Sequence, residues 1–441
     1  MAGMTAARLG WRRLLPYVAP ALPLAMLGLP LNIYLPAFWA GQMGLPIGVV
    51  GLVLTSVRLL DIVFDPTIGR LSDRMRSRFG RRRPFIAAAL PAGVLGGMAL
   101  FFPPRGAGAA YLFGAYAALT LAWSLLSLPW QAWGAELSDD YAERTRIVGW
   151  RETGTLLGVV LSAVLPAALH IADPGATLHV IAVAALILAA PAIVALLLLV
   201  PEASHPTAAF QAGLAPALRS AWDNRPFRHL LAAWTVNGIA NGMPAALFLL
   251  LCRDVLQAPA AGGPILLVYF LSGVVGMPLW SVVAPRFGKH RAWSVAMLTS
   301  CIVFLPVMLL GPGDVPAFLA ICVVSGFCLG ADLALPPSMQ ADVVDLDQLT
   351  TGEHRAGLFF AAWTMAQKAG NALAVGIAFG GLGLAGFTEG GPNTPHQIFV
   401  LAALYCLVPV ALKLIAVAMV WRFPITPAEQ GRIRAALAAQ A

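Results

Sequence analysis

Charge is what this chain has least of. Only 11% of its 441 residues are charged and 59% are hydrophobic, whereas an average soluble domain carries roughly 25% charged residues; mean hydropathy is +0.80. No stretch is polar enough to form a separate soluble domain, and no nucleophile, base and orienting group can be assembled from the apolar spans, which argues against an enzyme. Cysteine is scarce as well. Cys252, Cys301, Cys322, Cys328 and Cys406 lie inside or at the ends of apolar runs without CxxC spacing, and the seven histidines show no HExxH pattern. Metal and thiol chemistry are therefore unsupported, and no cofactor is expected. No carboxylate precedes Asp61.

What is present is a succession of apolar runs, each about the 20 residues a helix needs to cross hydrocarbon. They predict an all-α membrane protein with twelve transmembrane helices, over 14–41, 45–70, 84–102, 109–134, 147–170, 177–200, 227–251, 262–284, 292–311, 315–340, 356–386 and 397–421. An even count puts both termini on one side. Basic residues in short loops are retained in the cytoplasm, and only Arg105 and Arg253 fall in the loops opposite the termini, so both ends are expected to be cytoplasmic. That orientation rule also explains the net charge of +8, leaving no reason to invoke nucleic acid. The first run is long enough to span and lacks a small-residue cleavage site, so it reads as helix 1 and not as a cleaved signal. The expectation is a multi-pass protein of the plasma (inner) membrane, in contact with lipid and functional as a monomer.

The chain repeats itself. Arg78-Phe79-Gly80-Arg81-Arg82-Arg83 after the second span is echoed 208 residues later by Arg286-Phe287-Gly288-Lys289-His290-Arg291. Leu128-Pro129 and Ala135-Glu136 are echoed by Leu335-Pro336 and Ala341-Asp342 at nearly the same offset. Six helices per repeat make the two repeats enter the membrane in the same direction. The expected organisation is a six-helix half over 1–200, a polar cytoplasmic loop over 201–226, a second six-helix half over 227–421 and a cytoplasmic tail over 422–441. Such an arrangement belongs to transporters of the major facilitator type.

The second span holds the strongest functional signal. At about 3.6 residues per turn, Arg58, Asp61 and Asp65 share one helix stripe, with neighbouring Cβ atoms roughly 5 to 6 Å apart. An acid at the bilayer centre costs about 2.5 to 3.5 kcal/mol on insertion scales, so two of them should face an interior or wet cavity. Two carboxylates that close repel, which raises the proton affinity of one unless a cation intervenes. A packing pair with Arg58 is the bland alternative, but one arginine cannot balance two acids. Pro66 cannot donate to a backbone carbonyl one turn earlier, which leaves a polar group for a cavity water or ion.

The seven arginines from Arg70 to Arg83 form a tight loop, with Gly80 as a turn residue and Pro84 opening the next helix. Asp73, Glu136, Asp342 and Asp345 are expected to pair with arginines such as Arg78 and Arg83 as a cytoplasmic gate; the alternative is that the arginines only set topology and bind anionic head groups. Other polar groups lie at membrane depth. Helix 11 carries Thr364, Gln367, Lys368 and Asn371 on one face; Lys368 needs a partner, for which Asp61 or Asp65 is the candidate. Lys413 lacks polar neighbours on its own face and reads as a snorkelling side chain. Asp332 has no evident assignment. Trp234, Asn237 and Asn241 on helix 7, with Trp123, Ser124, Ser127, Trp130 and Gln131 on helix 4, suit a neutral polyhydroxylated ligand through ring faces and edge hydrogen bonds. Interfacial belts and helix contacts are the competing explanation for such residues.

The run R-x-x-D-x-x-x-D-P-x-x-G at Arg58 to Gly69, the following S-D-R and R-x-G-R-R-R-P-F, Glu143-Arg144-Thr145 and the acids from Asp342 to Asp345 ahead of Lys368 resemble the glycoside-pentoside-hexuronide:cation symporters, the melibiose-permease type above all. The resemblance spans nearly the whole chain. It implies that Asp61 and Asp65 bind the coupling cation, with Lys368 near it and Ser124 contributing a hydroxyl. It also marks two departures: no acid stands in helix 1, and Ser127 stands where those permeases carry an acid before the helix-4 proline. Phe64 between the acids offers no oxygen, whereas sodium wants several, which favours H+ over Na+; Asp61 and Asp65 are metal ligands only if Na+ is the coupling ion. The function expected is cation-coupled symport of a sugar or glycoside. A carrier for a lysolipid or other amphiphile, and a transporter-derived membrane sensor, are the alternatives; the short tail after Trp421 offers no signalling domain.

Overall fold

The computed structural model describes residues 9–28, 30–75, 77–137, 141–171, 173–201, 222–351 and 356–440. The side chains of a few helical residues, Asp73 and Glu136 among them, lie outside that description, as does most of the expected loop over 201–226. The described residues are helical throughout, in thirteen helices here numbered in chain order. These are α1 (Trp11–Gln42), α2 (Ile47–Arg74), α3 (Arg83–Phe101), α4 (Ala109–Glu136), α5 (Tyr141–Ala168), α6 (Pro174–Leu199), α7 (Arg225–Leu250), α8 (Gly262–Phe287), α9 (Lys289–Phe304), α10 (Val315–Thr351), α11 (Ala356–Leu384), α12 (Pro395–Val420) and α13 (Pro427–Gln440). Among them ten spans are long and apolar enough to cross a membrane. α5 and α11 are equally long, but α5 opens on a charged segment and α11 carries polar side chains at mid-length.

Helix starts follow the local chemistry. Asp173 accepts from the backbone N–H of Ala176 at 2.7 Å and Asn224 from that of Phe227 at 3.0 Å, each satisfying a donor that the first turn leaves orphaned. Thr394 and Gln397 form a reciprocal capping box at α12. α1 is the irregular one. Pro30 and Pro36 remove backbone donors, and π-helical turns form over Pro30–Tyr34 and Phe38–Gln42. The Met26 carbonyl, which a residue with an N–H at position 30 would have engaged, accepts instead from Ser162 Oγ of α5 at 3.0 Å.

The chain divides into two compact units, Met1–Gln211 and Ala212–Ala441. Within the first, α1 packs on α5 and α6, and α4 on α2 and α3; within the second, α7 packs on α11 and α12, and α10 on α8 and α9. The pairings correspond helix for helix at a step of six, which is the sequence repeat in three dimensions. The repeated loop follows suit: Gly80 and Gly288 both adopt positive φ, 100° and 91°, a conformation that favours glycine.

Small residues allow the closest helix crossings. A methyl group at Gly330 of α10 would run into the backbone of Met277 on α8; at Gly276 it would meet the Phe327 carbonyl, and at Gly326 the Tyr269 carbonyl. Gly330→Leu must force α8 and α10 apart, an overpacking cost of about 1–3 kcal/mol. The expected outcome is a thermal midpoint lowered by several degrees in detergent, while Gly263→Ala, which has open space around it, leaves the midpoint unchanged.

At the end of the α7 span, Arg253 ties the π-helical turn after α7 to the loop between α11 and α12. It donates to Asp254 Oδ2 at 2.7 Å and to Glu389 Oε1 at 2.9 Å. Burial pushes the Glu389 carboxyl up to about 8, against the lowering pull of Arg253. The folded state thus keeps a proton that the unfolded chain releases near its ordinary value of 4.5, so stability falls as pH rises through that window and levels off above it. Thermal unfolding across this pH range should show the fall, and Glu389→Gln should flatten it.

Candidate functional site

The acid stripe of α2 meets α4 at one residue. Ser124 is fully buried, and its Oγ lies 2.8 Å from Asp61 Oδ1 and 2.8 Å from Asp65 Oδ1. A hydroxyl has one proton to donate. Its one proton goes to one carboxylate at a time, so the hydroxyl is shared between the two acids. Asp61 and Asp65 are each half-buried, so the geometry combines restricted hydration with two negative groups around a single donor.

Arg58, one turn ahead of Asp61, is clamped from two other helices. Its Nη2 donates to Asn32 Oδ1 of α1 at 2.7 Å, and its Nε to the Tyr116 hydroxyl of α4 at 3.3 Å. Asn32 sits in the first π-helical turn and donates its Nδ2 to the Gly28 carbonyl at 2.7 Å, which fixes the direction of its amide. Proline-induced irregularity in α1 therefore places an acceptor beside the arginine. The α2 stripe thus carries one arginine and two acids, bonded to side chains of α1 and α4.

The second unit has its own polar centre. Asp332 of α10 and Lys413 of α12 are 6% and 8% exposed, with Lys413 Nζ 3.3 Å from Asp332 Oδ2. The snorkelling expected of Lys413 is thus corrected: its partner is a buried carboxylate on another helix, invisible from its own helix face. Asn237 is fully buried and donates to Asp332 Oδ1 at 3.2 Å, while its own Oδ1 accepts from Lys413 at 2.9 Å. Asn241 donates to Asp332 Oδ2 at 2.9 Å, and the Trp293 indole to Oδ1 at 2.5 Å.

The remaining expected site residues fall into distinct settings. Trp234 stacks on Trp363 with ring centres 4.6 Å apart and planes 14° apart, and its buried indole N–H has no hydrogen-bond partner among the described residues. Gln367 is exposed, while Lys368 and Asn371 are half-buried on α11. Trp123 is half-buried and Ser127 buried on α4. Trp130 belongs to the apolar core of the first unit, where its Nε1 donates to the Tyr17 carbonyl at 2.8 Å; its side chain is engaged in packing α4 against α1.

Of the expected gate, Asp342 pairs within its own unit. Lys289 Nζ lies 2.5 Å from Asp342 Oδ2, and Gln430 of α13 donates to Oδ1. Lys289 stands in the second copy of the repeated loop. In the first copy Arg83 donates to the Val200 carbonyl at 2.9 Å and lies over the Trp133 ring, Arg78 is exposed over Phe79, and Gly80 makes the turn. Asp73 and Glu136 fall outside the described side chains. Glu143, part of the Glu143-Arg144-Thr145 motif, pairs with Arg146 at 2.7 Å and accepts from the Leu9 backbone N–H at 2.9 Å.

A half-buried acid pair among helices long and apolar enough to cross a membrane is the arrangement of a membrane transporter. The chain belongs to the MFS/sugar transport protein family, whose sequence model matches residues 16–427. It is 23% identical over 431 residues to the glucuronide carrier protein homolog of Escherichia coli, covering 95% of this chain and 93% of that protein. It is 26% identical over 428 residues to the human sodium-dependent lysophosphatidylcholine symporter 1, covering 88% and 78%. The crystal structure of a D-xylose-proton symporter superposes with a TM-score of 0.69 at 12% identity, covering 94% of this chain and 98% of that one, a likeness of fold. The resemblance to the glycoside-pentoside-hexuronide:cation symporters of the major facilitator superfamily stands, and the chain is an integral, multi-pass membrane transporter and not an enzyme.

Removing the shared hydroxyl forfeits a hydrogen bond to a charged group, worth about 1.5–3 kcal/mol. A hydrogen bond donated to an ionised carboxylate favours the unprotonated form, so Ser124→Ala should lower the proton concentration for half-maximal transport by about tenfold or more. Asn32→Ala, which removes one hydrogen-bond partner of Arg58, should shift the same midpoint with little loss of folded protein. Cation titration of transport in proteoliposomes checks both.

Proposed function

We propose that this protein is a cation-coupled symporter that carries a sugar or glycoside across the membrane by alternating access, with the proton as coupling ion. The observation that carries the reading is the Ser124 hydroxyl at 2.8 Å from both Asp61 and Asp65. Protonation lowers the negative charge of the acid pair, substrate joins, and the loaded protein reorients. The unneutralised, substrate-free form reorients slowly, which is what couples the two gradients. Lys368 keeps the coupling role that the family resemblance implies. With α5 and α11 counted as the fifth and eleventh spans, twelve helices cross the membrane and both termini are cytoplasmic. Asp342 with Lys289, and the arginines around Gly80, act as the cytoplasmic gate.

Three considerations support sugar and proton. The relative in Escherichia coli is named for glucuronide carriage. Trp123, Ser127, Trp234, Asn241, Gln367 and Asn371 offer ring faces, hydroxyls and amides suited to a polyhydroxylated ligand. Phe64 stands between the acids where a sodium site would gain from an oxygen. A second reading has its own support: the human relative is a sodium-dependent lysophosphatidylcholine symporter, and no acid precedes Asp61 to grip sugar hydroxyls in α1.

Substrate-induced alkalinisation in lightly buffered cells, across sugars, glycosides and lysolipids with and without sodium, tests the reading. A sugar-dependent pH rise that disappears in Asp65→Asn is expected, as is loss of uphill accumulation with retained exchange in Asp61→Asn. Full uphill accumulation by Asp61→Asn contradicts it. Silence toward sugars with sodium-dependent lysolipid uptake moves the assignment to the second reading.

A further inference from the structure

The Asp332 carboxylate is bonded from three other helices. Oδ1 receives Asn237 Nδ2 from α7 and Trp293 Nε1 from α9; Oδ2 receives Asn241 Nδ2 from α7 and Lys413 Nζ from α12. Four donors occupy the roughly four lone-pair sites that an ionised carboxylate offers. A proton added to either oxygen would face a donor, so one of these bonds would have to break. The charges agree: Asp332 and Lys413 cancel each other. A neutral, donor-saturated pair has no call for a further cation.

The same bonds fix α7. Asn237 is held at both ends of its amide, donating to Asp332 and accepting from Lys413 at 2.9 Å. Reversing it would set its amide nitrogen against an ammonium. Asn241, one turn on and only half-buried, has its Nδ2 committed to Asp332, which leaves its Oδ1 to face elsewhere with a defined direction. Trp234, one turn before Asn237, is held on the other side by its stack on Trp363. At Gly242, α7 comes against Ala374 and Asn371 of α11, so its roll about its own axis is set by the polar bonds on one side and close contact on the other.

We infer that Asp332 and Lys413 form a fixed-charge pair that positions Asn237 and Asn241, and through them the ligand-facing side of α7, and that this pair is not a second coupling-ion site. The assignment of a ligand to Asn241 rests on the transport reading above; the pairing of Asp332 with Lys413 and its hold on α7 do not. Asp332, Lys413, Asn237 and Trp293 are positioning residues, and Asn241 is the group they present.

The test uses full-length protein in four forms: wild type, Asp332→Asn, Lys413→Met, and the double variant carrying both changes. Removing one partner strands a buried charge, whereas removing both leaves none. Each single variant should yield folded protein at about a tenth of the wild-type level or less, and the double should recover to within about twofold. In proteoliposomes without substrate, the pH titration of intrinsic tryptophan fluorescence should be the same in the double variant as in wild type, and should vanish in Asp65→Asn. For uptake of phenyl β-D-glucuronide, the double variant should show KM raised about tenfold, with maximal rate and proton-to-substrate ratio unchanged.

Failure of the double variant to recover, or loss of the substrate-free titration in it, would overturn the inference and make Asp332 a cation site. A well-folded double variant with unaltered KM would reduce the pair to packing. If wild type does not carry the glucuronide, the sugar reading falls, the KM comparison passes to lysophosphatidylcholine, and the recovery and titration arms decide the pair as before.

Discussion

Charge balance at membrane depth is the constraint on which the rest depends. An acid in hydrocarbon carries a penalty that grows with its isolation, so each membrane-depth carboxylate must be neutralised, bonded or hydrated. In the first unit Arg58, Asp61 and Asp65 share one stripe of α2, and Ser124 has a single proton to share between two carboxylate oxygens. In the second unit Lys413 pairs with Asp332, and amide and indole donors fill the remaining lone pairs. The same residue types thus produce a centre that can accept a cation and a centre that has no use for one.

The fold serves these two centres through its repeat. α4 packs on α2 in the first unit as α10 packs on α8 in the second, and α1 packs on α5 as α7 packs on α11. Prolines loosen α1 where Asn32 reaches Arg58, and glycines let α10 approach α8 close to where Asp332 sits. In both units the polar side chains are carried by helices, whose backbone hydrogen bonds close within the chain, so that only side chains need external partners.

Much of this was legible in the sequence because it is local. Arg58, Asp61 and Asp65 lie on one stripe of one helix, and periodicity alone brings them together. The loop repeat at Gly80 and Gly288 is written in a shared Arg-Phe-Gly followed by basic residues, and the structure places both glycines at positive φ. Ser124 came from family resemblance and not from spacing, since nothing along α4 points to α2. The rest was hidden because partners lie on different helices far apart in sequence. Lys413 looked isolated on its own helix face, and Asp332 looked unassigned, because each neutralises the other across 81 positions. Asn32 offered a faint signal, a lone amide between Pro30 and Pro36 in an apolar run, but its link to Arg58 needs three-dimensional packing. Trp130 read as a ring face for ligand; its indole is spent on the Tyr17 carbonyl.

The most direct test of the account is infrared difference spectroscopy of the carboxylic acid C=O stretch as pH is stepped, in reconstituted protein without substrate. The expected result is a band component that disappears in Asp61→Asn or Asp65→Asn and persists in the double variant lacking Asp332 and Lys413. A component that survives both α2 substitutions, or one that is lost with Asp332, would contradict the claim that the cation enters at the acid pair of the first unit.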